Sequence, residues 1–153
     1  MSSLFRKILL AVTLMIILIS CSSFPQQFNA LEKNNLSERQ KTISRVFEKI
    51  EIGISSGNVD LLSDYLSSQT YLSLSNGIGG YYSSNQAYYV LEDFFRDYKA
   101  TGFRFGSIQS NNGSPFATGI YKYHFRGMKG SAQVFISLKR SARKWKITQI
   151  SIN

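Results

Sequence analysis

The C-terminal part of this chain constrains its fold most strongly, because it predicts four long β-strands in succession. Residues 103–110, 116–126, 131–140 and 145–152 are rich in aromatic and β-branched side chains. Polar segments at 111–115, 127–130 and 141–144 separate them as hairpin turns would. Gly106 and Gly119 lie inside strands, where a sheet bends or bulges. Such strands curl, and the concave side of a curled sheet must be filled by other elements.

Two amphipathic helices are available as that filling. The first follows a capping-box pattern at residues 37–40, and Gly57 can end it. The second follows a capping box at residues 83–86, carries Asp93 and Asp97 on its polar face, and meets a stop at Gly102. Their apolar stripes consist of Ile43, Val46, Phe47, Ile50 and Ile54 in the first helix, and of Ala87, Val90, Leu91, Phe94 and Tyr98 in the second.

The segment between these helices predicts two shorter elements. Asn58 can cap a short helix that carries Leu61, Leu62, Tyr65 and Leu66. Residues 70–76 alternate in polarity, with leucines on one face, which predicts a half-buried strand. Glycines at 77–80 then interrupt it. The predicted order is helix, helix, strand, helix and four strands.

This order resembles the α+β fold of nuclear transport factor 2-like proteins, a cone-shaped, cystatin-like arrangement of a curved antiparallel sheet wrapped on helices. The chain is also similar to a family of unknown function within that superfamily, whose members resemble small exported proteins of Bacteroidetes-type bacteria. The similarity covers roughly residues 36–152 and implies no catalytic set. The matching residues are Gly57, Asn58, Tyr82, Ser83, Gln86, Leu91, Phe94, Phe95 and the closing segment 146–152.

The N-terminus predicts export and lipidation. Arg6 and Lys7 precede an apolar run over residues 8–19, the pattern of a secretory signal. The following Ser20 and Cys21 resemble a bacterial lipobox, which implies cleavage after Ser20 and a lipid on Cys21. The predicted organisation is a signal peptide at 1–20, a lipidated, irregular tether at 21–35 and the folded domain at 36–153. We therefore expect anchoring in the bacterial cell envelope, at the outer membrane and facing the periplasm.

Two other interpretations of this N-terminus stay open. The apolar run is short for a retained membrane anchor, which needs about 20 residues. An ordinary cleaved signal with an incidental Cys21 is the second alternative. Cys21 is the only cysteine, so the sequence excludes an intrachain disulfide framework and a cysteine metal site.

Charge is distributed unevenly along the chain. The net charge is +9, and all nine acidic residues lie between Glu32 and Asp97. Beyond Tyr98 only basic charges follow, and five of them surround the last predicted hairpin. This hairpin is a candidate binding site for anionic lipid or glycan; a solvated basic face without a partner is the alternative. We expect no nucleic-acid partner, and a homodimer is left open. The five residues are Lys139, Arg140, Arg143, Lys144 and Lys146.

Catalytic and metal-binding patterns are weak. Strand alternation places His124 with Lys122 and Arg126 on the solvent face. Asp93 and Asp97 fall on a helix surface, and the strands after Tyr98 carry no carboxylate. We expect no catalytic residues, no metal and no cofactor.

Aromatic residues are the remaining candidates for a binding site. They either line a pocket or form simple core. The favoured function is a non-catalytic ligand-binding or scaffold module; the alternatives are a small-pocket isomerase or dehydratase, and a binder of anionic envelope material. The candidate pocket residues are Tyr65, Phe94, Tyr98, Tyr121, Tyr123, Phe125 and Trp145.

Overall fold

A computed structural model describes residues 24–110 and 113–153, with side chains from residue 32 onward. Within it, Gln40–Asn153 forms a compact unit. The predicted signal peptide and Cys21 lie outside the described residues. None of the helices described is long and apolar enough to cross a membrane.

The described residues form three helices and six strands, with one strand more than the sequence predicts. In chain order these are α1 (Phe24–Ser56), α2 (Asp60–Ser63), β1 (Leu66–Leu74), β2 (Gly79–Ser83), α3 (Ser84–Asp97), β3 (Lys99–Gln109), β4 (Phe116–Phe125), β5 (Met128–Ser141) and β6 (Lys144–Ile152).

All six strands belong to one sheet, in the order β2-β1-β6-β5-β4-β3. Consecutive hairpins join β3 to β6 in antiparallel fashion. β1 pairs with β6 in parallel, so the sheet is mixed rather than wholly antiparallel as predicted. The first strand in the chain therefore lies beside the last one. The helices pack on this one sheet, which gives an α+β fold.

Helix α1 confirms the predicted stripe but begins earlier than predicted. Ile43, Phe47, Ile50 and Ile54 are fully buried. The helix starts at Phe24, so the prediction of an irregular segment over residues 24–35 and a helix start at Ser37 is wrong. The only proline in this stretch falls in the first turn, where it costs no helical hydrogen bond. Whether residues 21–35 act as a tether stays a prediction.

The predicted capping box is found at α3, whereas at α2 Asn58 lies one residue before the N-cap position, Val59, which makes no side-chain cap hydrogen bond. The backbone N–H of Asp60 donates to the Asn58 side chain across 3.0 Å at the start of α2. At α3, Ser83 and Gln86 form the reciprocal capping box. Gly102 does not stop α3, which ends at Asp97; it lies in β3, at a shift in the pairing with β4.

Two features of the sheet depart from the prediction. β2 was missed because its two glycines, which are depleted in strands, outweighed the signal of its two tyrosines in a segment of five residues. The β4–β5 turn is tighter than predicted: Arg126 and Gly127 both adopt positive φ, at 49° and 82°, so β5 already starts at Met128. Two successive positive φ angles are what a two-residue hairpin requires.

The core lies between the sheet and the helical layer. Leu72, Ile136 and Ile150 are fully or almost fully buried on neighbouring strands and meet Phe94 and Leu91 of α3 in one cluster. The predicted Gly106 bulge is present, since the β3–β4 register shifts between Phe105 and Ser107.

Candidate functional site

Five of the seven predicted pocket residues pack against one another in an aromatic cluster inside the unit. The Tyr98 ring stacks on Phe94 and Phe125, with centroids 4.6 and 4.4 Å apart. Tyr123 meets Tyr98 edge-on at 5.1 Å and stacks on Tyr121 at 5.7 Å. Phe94 and Tyr121 are fully buried. Rings at these separations fill space with favourable geometry.

The buried hydroxyl in this cluster already has a partner. Tyr121 donates to the backbone carbonyl of Tyr98 across 2.5 Å. Burial raises the pKa of Tyr121 well above its ordinary value, because the ionised phenolate would lose its hydration. Tyr121 is therefore held neutral, and its hydrogen bond joins β4 to the end of α3.

The other two predicted pocket residues lie apart from the cluster. Tyr65 and Trp145 line a cavity of about 300 Å³ with Val46, Arg143 and Lys144. Trp145 is 6% exposed, so only a small part of its surface faces this cavity. The structure thus divides the predicted aromatic set between two places.

The carboxylates lie at the periphery. The only buried polar or charged residue among those described is Thr70, whose hydroxyl donates to the Ile147 carbonyl at 3.1 Å. Glu51 comes closest to the interior, and its carboxylate accepts the backbone N–H of Phe105 at 2.7 Å. His124, Asp93 and Asp97 are exposed, as predicted.

One surface carboxylate perturbs a tyrosine. The Tyr88 hydroxyl donates to Asp60 at 2.7 Å, and this hydrogen bond, with the nearby negative charge, raises the pKa of Tyr88 to about 12. A phenol with so high a pKa is a poor acid near neutrality. The pair holds α2 beside α3. The described residues contain no cluster of three side chains able to hold a metal.

The five predicted anion-binding residues do lie together, and we call them the basic hairpin. Across β5 and β6, Lys139 pairs with Lys146 and Arg140 with Trp145. The turn places Ala142 at a φ of 53°. Lys146 donates to the Asp64 carbonyl at 2.6 Å, which leaves Lys139, Arg140, Arg143 and Lys144 exposed to solvent.

Sequence reasoning missed a second surface, which lies on the sheet face away from the helices. Tyr81 of β2, Tyr71 of β1 and Gln149 of β6 stand side by side in register. They border a cavity of about 480 Å³ that we call the outer groove. Because β2 was not predicted, nothing in the sequence pattern placed Tyr81 beside Tyr71.

Comparison with known proteins identifies both a family profile and similar structures. The profile described as "Domain of unknown function (DUF4783)" matches residues 47–153. A crystal structure of a DUF4783 protein from Bacteroides uniformis has a TM-score of 0.61 at 23% identity, and the match covers 69% of this chain and 94% of that chain. A comparison with curated proteins gives no match.

More distant structures share the fold. A protein of unknown function from Shewanella oneidensis, described as NTF-2 like, has a TM-score of 0.53 at 13% identity, covering 73% of this chain and 96% of its own. A protein from Novosphingobium aromaticivorans, provisionally named a scytalone dehydratase, has a TM-score of 0.57 at 12% identity, covering 80% and 87%. Identities this low show the fold alone.

Proposed function

This chain belongs to the DUF4783 family, and we propose that it is a non-catalytic module of the bacterial cell envelope, anchored by a lipid on Cys21, that binds a ligand or acts as a scaffold through its surface. The observation that carries the proposal is the filled interior. An isomerase or dehydratase would need an open apolar pocket with an internal acid or base. In this chain Phe94 and Tyr121 pack together in the core.

Location is part of the proposal. The lipobox-like sequence ending at Cys21 supports attachment to the outer membrane, and Ser22 rather than an acidic residue after the cysteine resembles the sorting signal for that membrane. We propose that the domain faces the periplasm. A binding surface exposed at 40–153 would then meet glycan and lipid headgroups.

A thermal-shift screen tests whether the interior admits the substrates of such enzymes. The full chain, solubilised in detergent, is heated with steroid ketones and polyhydroxylated aromatic compounds, the substrate classes of isomerases and dehydratases with related folds. We expect no shift in Tm for any of them. A shift in the wild-type chain that disappears in Glu51→Gln would overturn the proposal, because it would show that the interior admits such a substrate beside a carboxylate.

The basic hairpin supports a second candidate function, the binding of anionic envelope material. Arg140, Arg143 and Lys144 are exposed around the turn of the basic hairpin, and Lys139 is exposed on the outer-groove side of β5. None of the four forms a salt bridge with a described acid. A polyanion would relieve their mutual repulsion. Single exposed charge pairs are weak and are screened over about 8 Å at physiological ionic strength, so useful affinity requires several simultaneous contacts.

Retention of the detergent-solubilised chain on immobilised lipid A measures this binding. We expect Arg140→Gln, Arg143→Gln and Lys144→Gln together to elute at lower salt than wild type. The matched control is Lys99→Gln, Lys122→Gln and Lys129→Gln, which removes the same charge from exposed positions elsewhere. If both triple variants elute at the same salt concentration, retention depends on net charge alone and the hairpin is not the binding site.

A further inference from the structure

The outer groove combines a held aromatic ring with neutral hydrogen-bonding side chains. The register aligns Tyr81, Tyr71, Gln149 and Ser137 across β2, β1, β6 and β5. Neighbouring strands lie about 4.8 Å apart, so the row runs for about 14 Å along one face. The cavity beside it is lined by Gln69, Tyr71, Tyr81, Lys139, Thr148 and Gln149.

Tyr81 is the most exposed of the large apolar or aromatic side chains described, at 74%. Its ring meets Tyr71 edge-on, with centroids 5.1 Å apart and planes at 62°. An edge-on contact limits the positions that the ring can adopt but leaves area for another molecule. Exposing an aromatic ring to water is unfavourable, and a ligand with one apolar face would remove that cost.

The polar side chains beside the ring are also held in place. The Gln149 amide donates to the Ser151 hydroxyl at 3.1 Å, and the Thr148 hydroxyl donates to the Ser137 carbonyl at 3.3 Å. The side-chain oxygens of Gln149 and Thr148 can still accept hydrogen bonds, and the Gln149 amide has a second N–H to donate. Gln69 adds a further amide, exposed on the same strand as Tyr71. Neutral donors and acceptors in alternation suit neighbouring hydroxyl groups.

Lys139 is the one basic residue that lines this groove, because its cross-strand neighbour Lys146 donates to the Asp64 carbonyl. One ammonium group is too little for a polyanion, whose affinity depends on many contacts, yet it pairs well with one carboxylate. An acyl chain would also fit poorly, because amides and hydroxyls would lose water without gaining hydrogen bonds. The side chains of the groove therefore suit a polyhydroxylated ligand with an apolar face and a carboxylate.

We propose that the outer groove binds an oligosaccharide that contains a carboxylated sugar. The apolar face of one pyranose ring stacks on Tyr81, Gln149 and Gln69 hydrogen-bond ring hydroxyls, and Lys139 pairs with the carboxylate. This inference rests on the proposed binding function and names its ligand class. It differs from binding at the basic hairpin, because it requires an aromatic ring and amides and does not require Arg140, Arg143 or Lys144.

Binding of the detergent-solubilised full chain to an array of immobilised uronic-acid, sialic-acid and matched neutral oligosaccharides tests the proposal. We expect retention of acidic oligosaccharides above their neutral counterparts. Tyr81→Ala and Gln149→Ala should each lower affinity about tenfold or more, as truncations of central binding residues do. Lys139→Gln should remove the preference for the acidic members.

The chain provides a close control. Tyr89 is 64% exposed and also meets a neighbouring tyrosine edge-on, Tyr88 at 5.3 Å, but it lies on α3 away from the groove. Tyr89→Ala should leave binding unchanged, as should the triple substitution of Arg140, Arg143 and Lys144. The saccharide site would be overturned if no oligosaccharide were retained, or if Tyr81→Ala and Tyr89→Ala lowered affinity equally. Binding of lipid A by the hairpin would still be measured independently.

Discussion

The hydroxyl of Tyr121 on β4 donates a hydrogen bond to the backbone carbonyl of Tyr98, the C-cap residue of α3. The bond crosses from sheet to helix inside the aromatic cluster. It satisfies a buried donor without recruiting an acid. The buried phenol of Tyr121 thus joins two elements of the fold.

Removing this hydroxyl should destabilise the chain. Tyr121→Phe leaves the half-buried Tyr98 carbonyl without its donor, which costs about 0.5–1.5 kcal/mol. Urea unfolding measures the loss. Unchanged stability would mean that water or another donor replaces the phenol.

The same residue should make stability depend on alkaline pH. Burial raises the pKa of Tyr121 in the folded state, whereas the unfolded residue ionises near its ordinary value of about 10. The contribution of neutral Tyr121 to the free energy of unfolding is complete below a pH of about 10. It falls as the pH rises further, because the unfolded state then binds fewer protons than the folded state. The difference between the unfolding free energies at pH 9 and at pH 11 should be smaller for Tyr121→Phe than for the wild-type chain.

Phe94 should be the critical residue on α3. Its side chain is fully buried and contacts Phe95, Tyr98 and Tyr121, so Phe94→Ala should cost about 3–5 kcal/mol. Asp93→Asn is the neighbouring control: the Asp93–Arg96 ion pair, at 2.6 Å, has both partners more than half exposed and contributes little. A larger loss from the Asp93 change would contradict the helix phase described above.

Gly119 should tolerate no side chain. A Cβ there would lie 2.4 Å from the Arg104 carbonyl oxygen and 2.9 Å from the Phe103 ring. Because the closest obstacle is backbone, Gly119→Ala should cost about 1–3 kcal/mol. At Gly102, also in the β3–β4 pair, a Cβ meets nothing within 4 Å, so Gly102→Ala provides the comparison. Backbone entropy favours alanine at both positions, so equal losses in urea unfolding would contradict the role of the close approach at Gly119.

Cys21 should determine membrane attachment. Cys21→Ala removes the thiol that would carry the lipid, so the chain should lose labelling by radioactive palmitate and move to the soluble periplasmic fraction. Ser23→Ala, two residues away, should keep both properties. Persistence of Cys21→Ala in the membrane fraction would rule out the lipid anchor.

The sequence alone determined what short-range periodicity can encode. The stripes of α1 and α3, the capping box at Ser83 and the exposure of His124 followed from spacings of three, four or two residues, because side-chain direction repeats locally along helices and strands. The early start of α1 was missed because Pro25 and the many polar residues over 26–35 suggested an irregular tether, although proline is tolerated in the first turn of a helix.

Only the tertiary structure decided which distant residues meet. The parallel pairing of β1 with β6 places Tyr71 beside Gln149, and the unpredicted β2 adds Tyr81. The predicted pocket set separated because Tyr65 and Trp145 lie by the β5–β6 hairpin, whereas Phe94, Tyr98 and Tyr121 lie where α3 meets β4. Such neighbours depend on strand order and register, which arise from packing of the whole sheet and leave no local period in the sequence.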